Sequence, residues 1–170
     1  MNILFVCTDN FTRSVIAEFC MKDYLKKTNN ARVIVASAGI RANSDISRYS
    51  KIHFNIMGEM GIDTSDFKRT QFDETCFEKF NMIIGMGELH RDYLKQQYNR
   101  DIFLFNELFN GKQTPVNIGS PDSVDFAEQM NQLVVYVNNA IPYLLRNIEE
   151  EAVEQTGQVS TSELNGRLLF

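Results

Sequence analysis

Residues 6–18 read Val6-Cys7-Thr8-Asp9-Asn10-Phe11-Thr12-Arg13-Ser14-Val15-Ile16-Ala17-Glu18, and they join two elements of different character. Before them, Asn2 to Val6 is a short apolar run suited to a buried strand. After them, Ser14 to about Lys27 places Ile16, Ala17, Cys20, Met21, Tyr24 and Leu25 at helical spacing. Five residues separate Cys7 from Arg13, so the amides between them can converge on phosphoryl oxygens at the start of a helix, where the backbone already favours an anion. Arg13 adds a planar donor fork that a lysine lacks. In such a field a cysteine is an effective nucleophile, and Ser14 can donate its hydroxyl to the sulfur or cap the helix. A buried structural Cys7 is the alternative, since a cysteine and an arginine at this spacing also occur by chance. Strand, loop and helix in immediate succession point instead to phosphate-ester chemistry.

The rest of the chain repeats the alternation. Arg32 to Ala36 reads as a second strand, ended by Ser37-Ala38-Gly39, small residues that let another loop approach. Ser47 to about Met60 fits a helix with Ile52, Ile56, Met57 and Met60 inward and Gly61 to stop it. A short segment around Phe72 to Phe80 leads to a third strand, Asn81 to Met86, and Glu88 to Tyr98 is a third helix. Ile102 to Phe105 is a fourth short strand, and Val124 to about Ile148 is the last helix, which Pro142 is expected to kink or divide. This order predicts an α/β domain over 1–148, with a parallel sheet covered on both faces and the Cys7 loop at the carboxyl end of the first strand. Glu149-Glu150-Glu151 opens a polar extension over 149–170 that ends in Leu168-Leu169-Phe170, read either as a mobile tail or as an apolar hook.

A chain of 170 residues, 44% hydrophobic, supports one sizeable core. A net charge of -5 disfavours nucleic acid or an anionic membrane as partner, so the catalytic loop must create its own positive field. The amino terminus lacks the pattern of a secretory signal, and no apolar run is long enough to span a bilayer. Cys7, Cys20 and Cys76 are odd in number and lack metal-ligand spacing, which suits free thiols in a reducing cytoplasm. His53 and His90 stand alone in the sequence and read as surface or partly buried helix residues. Lys68-Arg69 is too short a basic run to signal nucleic acid.

From Val6 to Glu18 the sequence V-C-T-D-N-F-T-R-S-V-I-A-E resembles the low-molecular-weight protein tyrosine phosphatase motif V-C-x-G-N-x-C-R-S-P-x-A-E. The similarity continues through Ser37-Ala38-Gly39, Gly61-Ile62-Asp63, Ile84-Gly85-Met86 and Pro121-Asp122, covering about residues 1–148. The resemblance implies a four-stranded parallel open sheet flanked by helices and a two-step phosphomonoester hydrolysis. It implies a phosphate-binding loop of Thr8, Asp9, Asn10, Phe11, Thr12 and Arg13, with Cys7 attacking phosphorus and Arg13 holding the equatorial oxygens. Ser14 would tune the thiolate, and Asn10 would brace the loop with Ser37 as partner. No metal or other cofactor is implied.

The departures from that motif set further expectations. Asp9 stands where the family has glycine; pointed at the site from about 6 Å, its charge would repel phosphate by about 3 kcal/mol per unit charge at an effective dielectric near 20, whereas pointed outward it would be screened. Thr12 replaces the second loop cysteine. Phe11 is either a wall for an aromatic substrate or core packing. Proton delivery to the leaving oxygen needs a carboxylic acid on a separate loop, and 117–123, with Gly119 and Pro121, offers Asp122, with Asp125 as the alternative acid.

The leading expectation is therefore a phosphatase acting on phosphotyrosine protein or a small phosphomonoester, through a cysteinyl-phosphate. A catalytically weak phosphoanion or phosphopeptide binding module is the second class, favoured by Asp9 and by the loss of the family's aspartate-proline pair and aromatics. A thiol-dependent arsenate reductase is a third, disfavoured because Cys76 precedes the third strand and no cysteine follows it.

Overall fold

The computed structural model describes residues 1–44 and 51–166, with side chains as far as residue 157. The expected start of the second helix at Ser47 and the apolar end Leu168-Leu169-Phe170 lie outside the described residues. The elements in chain order are β1 (Asn2–Cys7), α1 (Arg13–Lys27), β2 (Ile34–Gly39), α2 (Ile52–Glu59), α3 (Cys76–Lys79), β3 (Met82–Gly85), α4 (Glu88–Tyr98), β4 (Phe103–Leu104), α5 (Phe105–Asn110) and α6 (Phe126–Gly166). The strands form one sheet in the order β2-β1-β3-β4, and every pairing is parallel.

The central strand shows why its sequence is apolar at every step. Ile3, Phe5 and Cys7 join a large core with α1 and α6, while Leu4 and Val6 face a smaller one built around Phe72, Cys76 and Leu94. A parallel strand covered on both faces has no solvent side on which to alternate. The first half of α1 is enclosed all round, from Ser14 to Met21, because β1 and β2 lie on one side and α6 on the other.

Beyond shifts of one or two residues at element ends, the structure departs from the sequence reading at three places. Ser37, Ala38 and Gly39 belong to β2 rather than following it, pairing with Phe5, Val6 and Cys7. The fourth strand shrinks to two residues because Phe105–Asn110 turns helical: the Glu107 carboxylate accepts the Leu104 amide at 3.0 Å, and Gly111 closes the helix with φ 74°. Pro142 does not divide α6, which runs unbroken from Phe126 to Gly166 and carries through residues 149–166. Pro142 faces solvent, where water can satisfy the carbonyl it leaves unbonded, while Ala140, Ile141, Leu144 and Leu145 on either side are buried. Gly61 stops α2 as expected, with φ 78° and the Ile62 amide bonded back to the Met57 carbonyl at 2.9 Å. Among the described residues no helix is long and apolar enough to cross a membrane.

Candidate active site

β1 ends at Cys7 and α1 begins at Arg13, so residues 8–12 must reverse direction within one short loop. Asn10 makes the reversal, with φ 51°, a left-handed conformation that asparagine tolerates better than most residues. Its fully buried side chain repays the strain: Nδ2 donates to Ser37 Oγ at 2.7 Å and to Ser14 Oγ at 3.2 Å, and Oδ1 accepts the Thr70 amide at 2.7 Å. Ser37 in turn donates a hydrogen bond to Glu18 at 2.5 Å, and Lys22 pairs with that carboxylate at 2.7 Å.

Ser14 Oγ accepts from Asn10 and lies 2.9 Å from Cys7 Sγ, so its proton is free to be directed at the sulfur. Ser14 Oγ thus lies against the cysteine and does not cap α1; Thr12 occupies the cap position, its carbonyl accepting the Ile16 amide at 2.8 Å. The Thr12 hydroxyl is buried without a hydrogen-bond partner.

The backbone of the loop is pressed against β2. The Ile40 and Arg41 amides donate to the carbonyls of Cys7 and Thr8 at 3.0 and 2.8 Å. A Cβ on Gly39 would lie 2.6 Å from the Asn10 nitrogen, 2.8 Å from the Asp9 carbonyl carbon and 2.8 Å from the Thr8 oxygen, so only glycine admits this approach.

Two histidines complete the support, contrary to their reading as surface or partly buried helix residues. Both are buried, and both touch the loop: His53 donates from Nε2 to the Phe11 carbonyl at 2.8 Å, and His90 Nε2 meets Thr8 Oγ1 at 3.1 Å. Burial, and then the positive charge of Arg13, push His90 down to about 3, so it is a neutral support. Neither histidine sits in a recognisable motif. For His90 the one signal in sequence is its place on a helix that opens just beyond a strand and a glycine; His53 carries none.

Asp9 turns inward. The Cys7 thiol points at Asp9 Oδ1 at 3.9 Å, the Phe11 amide donates to the same oxygen at 3.2 Å, and Arg69 faces Oδ2 at 4.0 Å. Arg69 also lies over the Phe11 ring, 5.5 Å from its centre. Phe11 is half-buried and meets His53, Phe54 and Phe67 edge-on, so it packs against α2 and the segment after it as well as edging the loop. Arg13 reaches the Val116 carbonyl at 3.4 Å, which brings the segment ahead of 117–123 beside the loop between β1 and α1.

Asp122 is exposed, and among the described residues no hydrogen bond or ion pair joins it to the loop. Asp125 is engaged at the start of α6, accepting from Ser123 and, at 2.8 Å, from Gln129; these bonds hold its carboxyl below the usual range. The other thiols are poorly suited to attack: burial pushes Cys20 up to about 12 and raises Cys76 as well.

Fold and site together define a class: an α/β protein with a cysteine and an arginine bracketing a tight loop at the carboxyl end of its central strand. Residues 2–155 match the family model for low molecular weight phosphotyrosine protein phosphatase, and the chain belongs to that family. Among solved structures, it is similar to a YwlE mutant from Bacillus subtilis, at 21% identity and TM-score 0.75 over 88% of this chain and 99% of that one. A low molecular weight protein tyrosine phosphatase from T. tengcongensis is 24% identical with TM-score 0.72, over 86% and 98% of the two chains. The YwlE arginine phosphatase from Geobacillus stearothermophilus is 22% identical with TM-score 0.72, over 90% and 96%. No curated protein matches. At the level of the family, the chain is a phosphatase with a cysteine-based active site.

Proposed function

We propose that the chain hydrolyses phosphomonoesters, protein phosphotyrosine foremost, through a cysteinyl-phosphate intermediate. The observation that carries this reading is the placement of Ser14 Oγ, which accepts from Asn10 Nδ2 and lies 2.9 Å from the Cys7 sulfur with a hydroxyl hydrogen to offer it. A donor aimed at that sulfur stabilises negative charge on it before attack and again when it leaves phosphorus. Cys7 Sγ forms the bond to phosphorus as the ester P–O bond breaks, and the leaving oxygen takes a proton from Asp122. Water then attacks the phosphorus, gives its proton to Asp122, and the P–S bond breaks to release inorganic phosphate. Arg13 and the loop amides hold the equatorial oxygens in both steps. Asp122 is preferred to Asp125 because the latter is bound to Ser123 and Gln129 and favours the ionised form.

A second reading is hydrolysis of N-phosphorylated arginine. It is favoured by the inward Asp9 carboxylate, which would complement a guanidinium attached to phosphorus, and similar structures include a YwlE arginine phosphatase. Neither reading needs a second thiol, whereas arsenate reduction would; Cys76 packs in the core on the opposite face of the sheet from Cys7.

The test is turnover of a phosphotyrosine peptide and a phosphoarginine peptide by the same preparation, with binding measured in parallel. Phosphotyrosine hydrolysis that is abolished by Cys7→Ser and impaired by Arg13→Lys is the expected result. Preference for the phosphoarginine peptide selects the second reading; binding without turnover of either selects a binding module.

A further inference from the structure

We infer that the anion loop carries its own resident anion, the Asp9 carboxylate, which an incoming phosphoryl group must displace toward Arg69. This goes beyond the reaction proposed above and rests on it, because a loop that does not bind phosphate has nothing to displace.

Three contacts of one carboxylate carry the inference. Oδ1 accepts the Phe11 amide at 3.2 Å, removing from the loop a donor that phosphate would otherwise use. The same oxygen lies 3.9 Å from the Cys7 sulfur, beside the position a phosphorus atom must take to be attacked. Oδ2 is already within 4.0 Å of the Arg69 guanidinium, which lies against the Phe11 ring and faces this oxygen from outside the loop.

Displacement needs only the side chain to turn. Gly39 clamps the backbone of Thr8, Asp9 and Asn10 from below, and the Asn10 side chain locks the loop from within, so the amides stay in place while the carboxylate leaves. Asp9 is thus a determinant of affinity: it makes each phosphoryl group compete with an intramolecular carboxylate, and it penalises binding more than the chemical step that follows.

The experiment is calorimetric binding of inorganic phosphate to the full chain and its variants, with steady-state kinetics on a phosphotyrosine peptide. Asp9→Asn, which keeps the amide contact but not the charge, should tighten phosphate by about tenfold, and Asp9→Gly, which frees the amide as well, by more. In both, KM should fall by a larger factor than kcat changes. Arg69→Gln should weaken phosphate binding in the native background and do so much less when combined with Asp9→Asn, since the carboxylate it receives is then uncharged. Phosphate affinity unchanged within about twofold in both Asp9 variants, against the tenfold expected, overturns the inference. Equal effects of Arg69→Gln in the two backgrounds overturn the role of Arg69 as receiver. If phosphate binds to no variant, while Arg13→Lys also changes nothing, the phosphate-site reading itself fails, and with it this one.

Discussion

Ser37 stands between Asn10 and Glu18, accepting from the first at 2.7 Å and donating to the second at 2.5 Å. It is therefore the relay that tells the loop asparagine which way to point. Ser37→Ala removes one of the two acceptors of Asn10 Nδ2 and leaves a nearly buried Glu18 oxygen without its donor. The expected cost is about 1–3 kcal/mol in urea unfolding, since unpaired buried groups bear their full desolvation. Turnover should fall with it and be largely restored by Ser37→Thr; loss of neither stability nor turnover would show that Asn10 holds its place alone.

Gly39→Ala should damage the site more than the fold. Its new methyl would lie within 3 Å of backbone atoms of Thr8, Asp9 and Asn10, none of which can rotate away. The loop must shift, and misplacement of that kind costs catalysis on the order of a hundredfold. Comparing kcat/KM with the urea midpoint checks this: equal losses in both would mean that the sheet, not the loop, gives way.

His90 links the site to acid stability. Its value falls from 6.5 to about 3 on folding, so between those limits the unfolded chain binds a proton that the native chain refuses. Stability should accordingly decline as pH falls below about 6.5, with a contribution of up to about 1.4 kcal/mol per pH unit until about pH 3. His90→Gln removes that contribution and should flatten the acid limb measured by denaturation at a series of pH values. An unaltered slope would place the acid sensitivity elsewhere.

Asp122→Asn should reduce turnover most for a poor leaving group such as an alkyl phosphate, and least for an activated aryl phosphate that departs without proton assistance. Asp125→Asn should show no such dependence, only a modest loss of stability from weakening the start of α6. Single-turnover rates for both substrates decide the matter; a leaving-group effect confined to Asp125 reverses the assignment.

The sheet was legible because its strands lie covered on both faces and therefore read as apolar runs, and because Cys7 to Ser14 leaves no room for any connection but a tight one. The supporting hydrogen bonds were legible only in part. Asn10, Ser14 and Ser37 came from the motif, while His53 and His90 did not, since their partners Phe11 and Thr8 lie 42 and 82 residues away. Nothing local marks such a pairing. The short α5 escaped for a related reason: Phe105 is apolar enough to continue a strand, and the choice was made by Glu107 reaching back to the Leu104 amide. Asp9 was visible as an oddity, but its direction is a matter of side-chain geometry that sequence does not encode.

The loop between β1 and α1 is fastened by residues drawn from β2, α2, the segment around Thr70, α4 and the strand of chain at Val116. Catalytic competence is thus spread over the whole order of the chain. Loosening at any one of these quarters reaches the cysteine, so local opening should not leave a half-working enzyme. The amides of the central strand should be among the slowest to exchange with deuterium, and activity should vanish with the cooperative loss of the sheet rather than ahead of it.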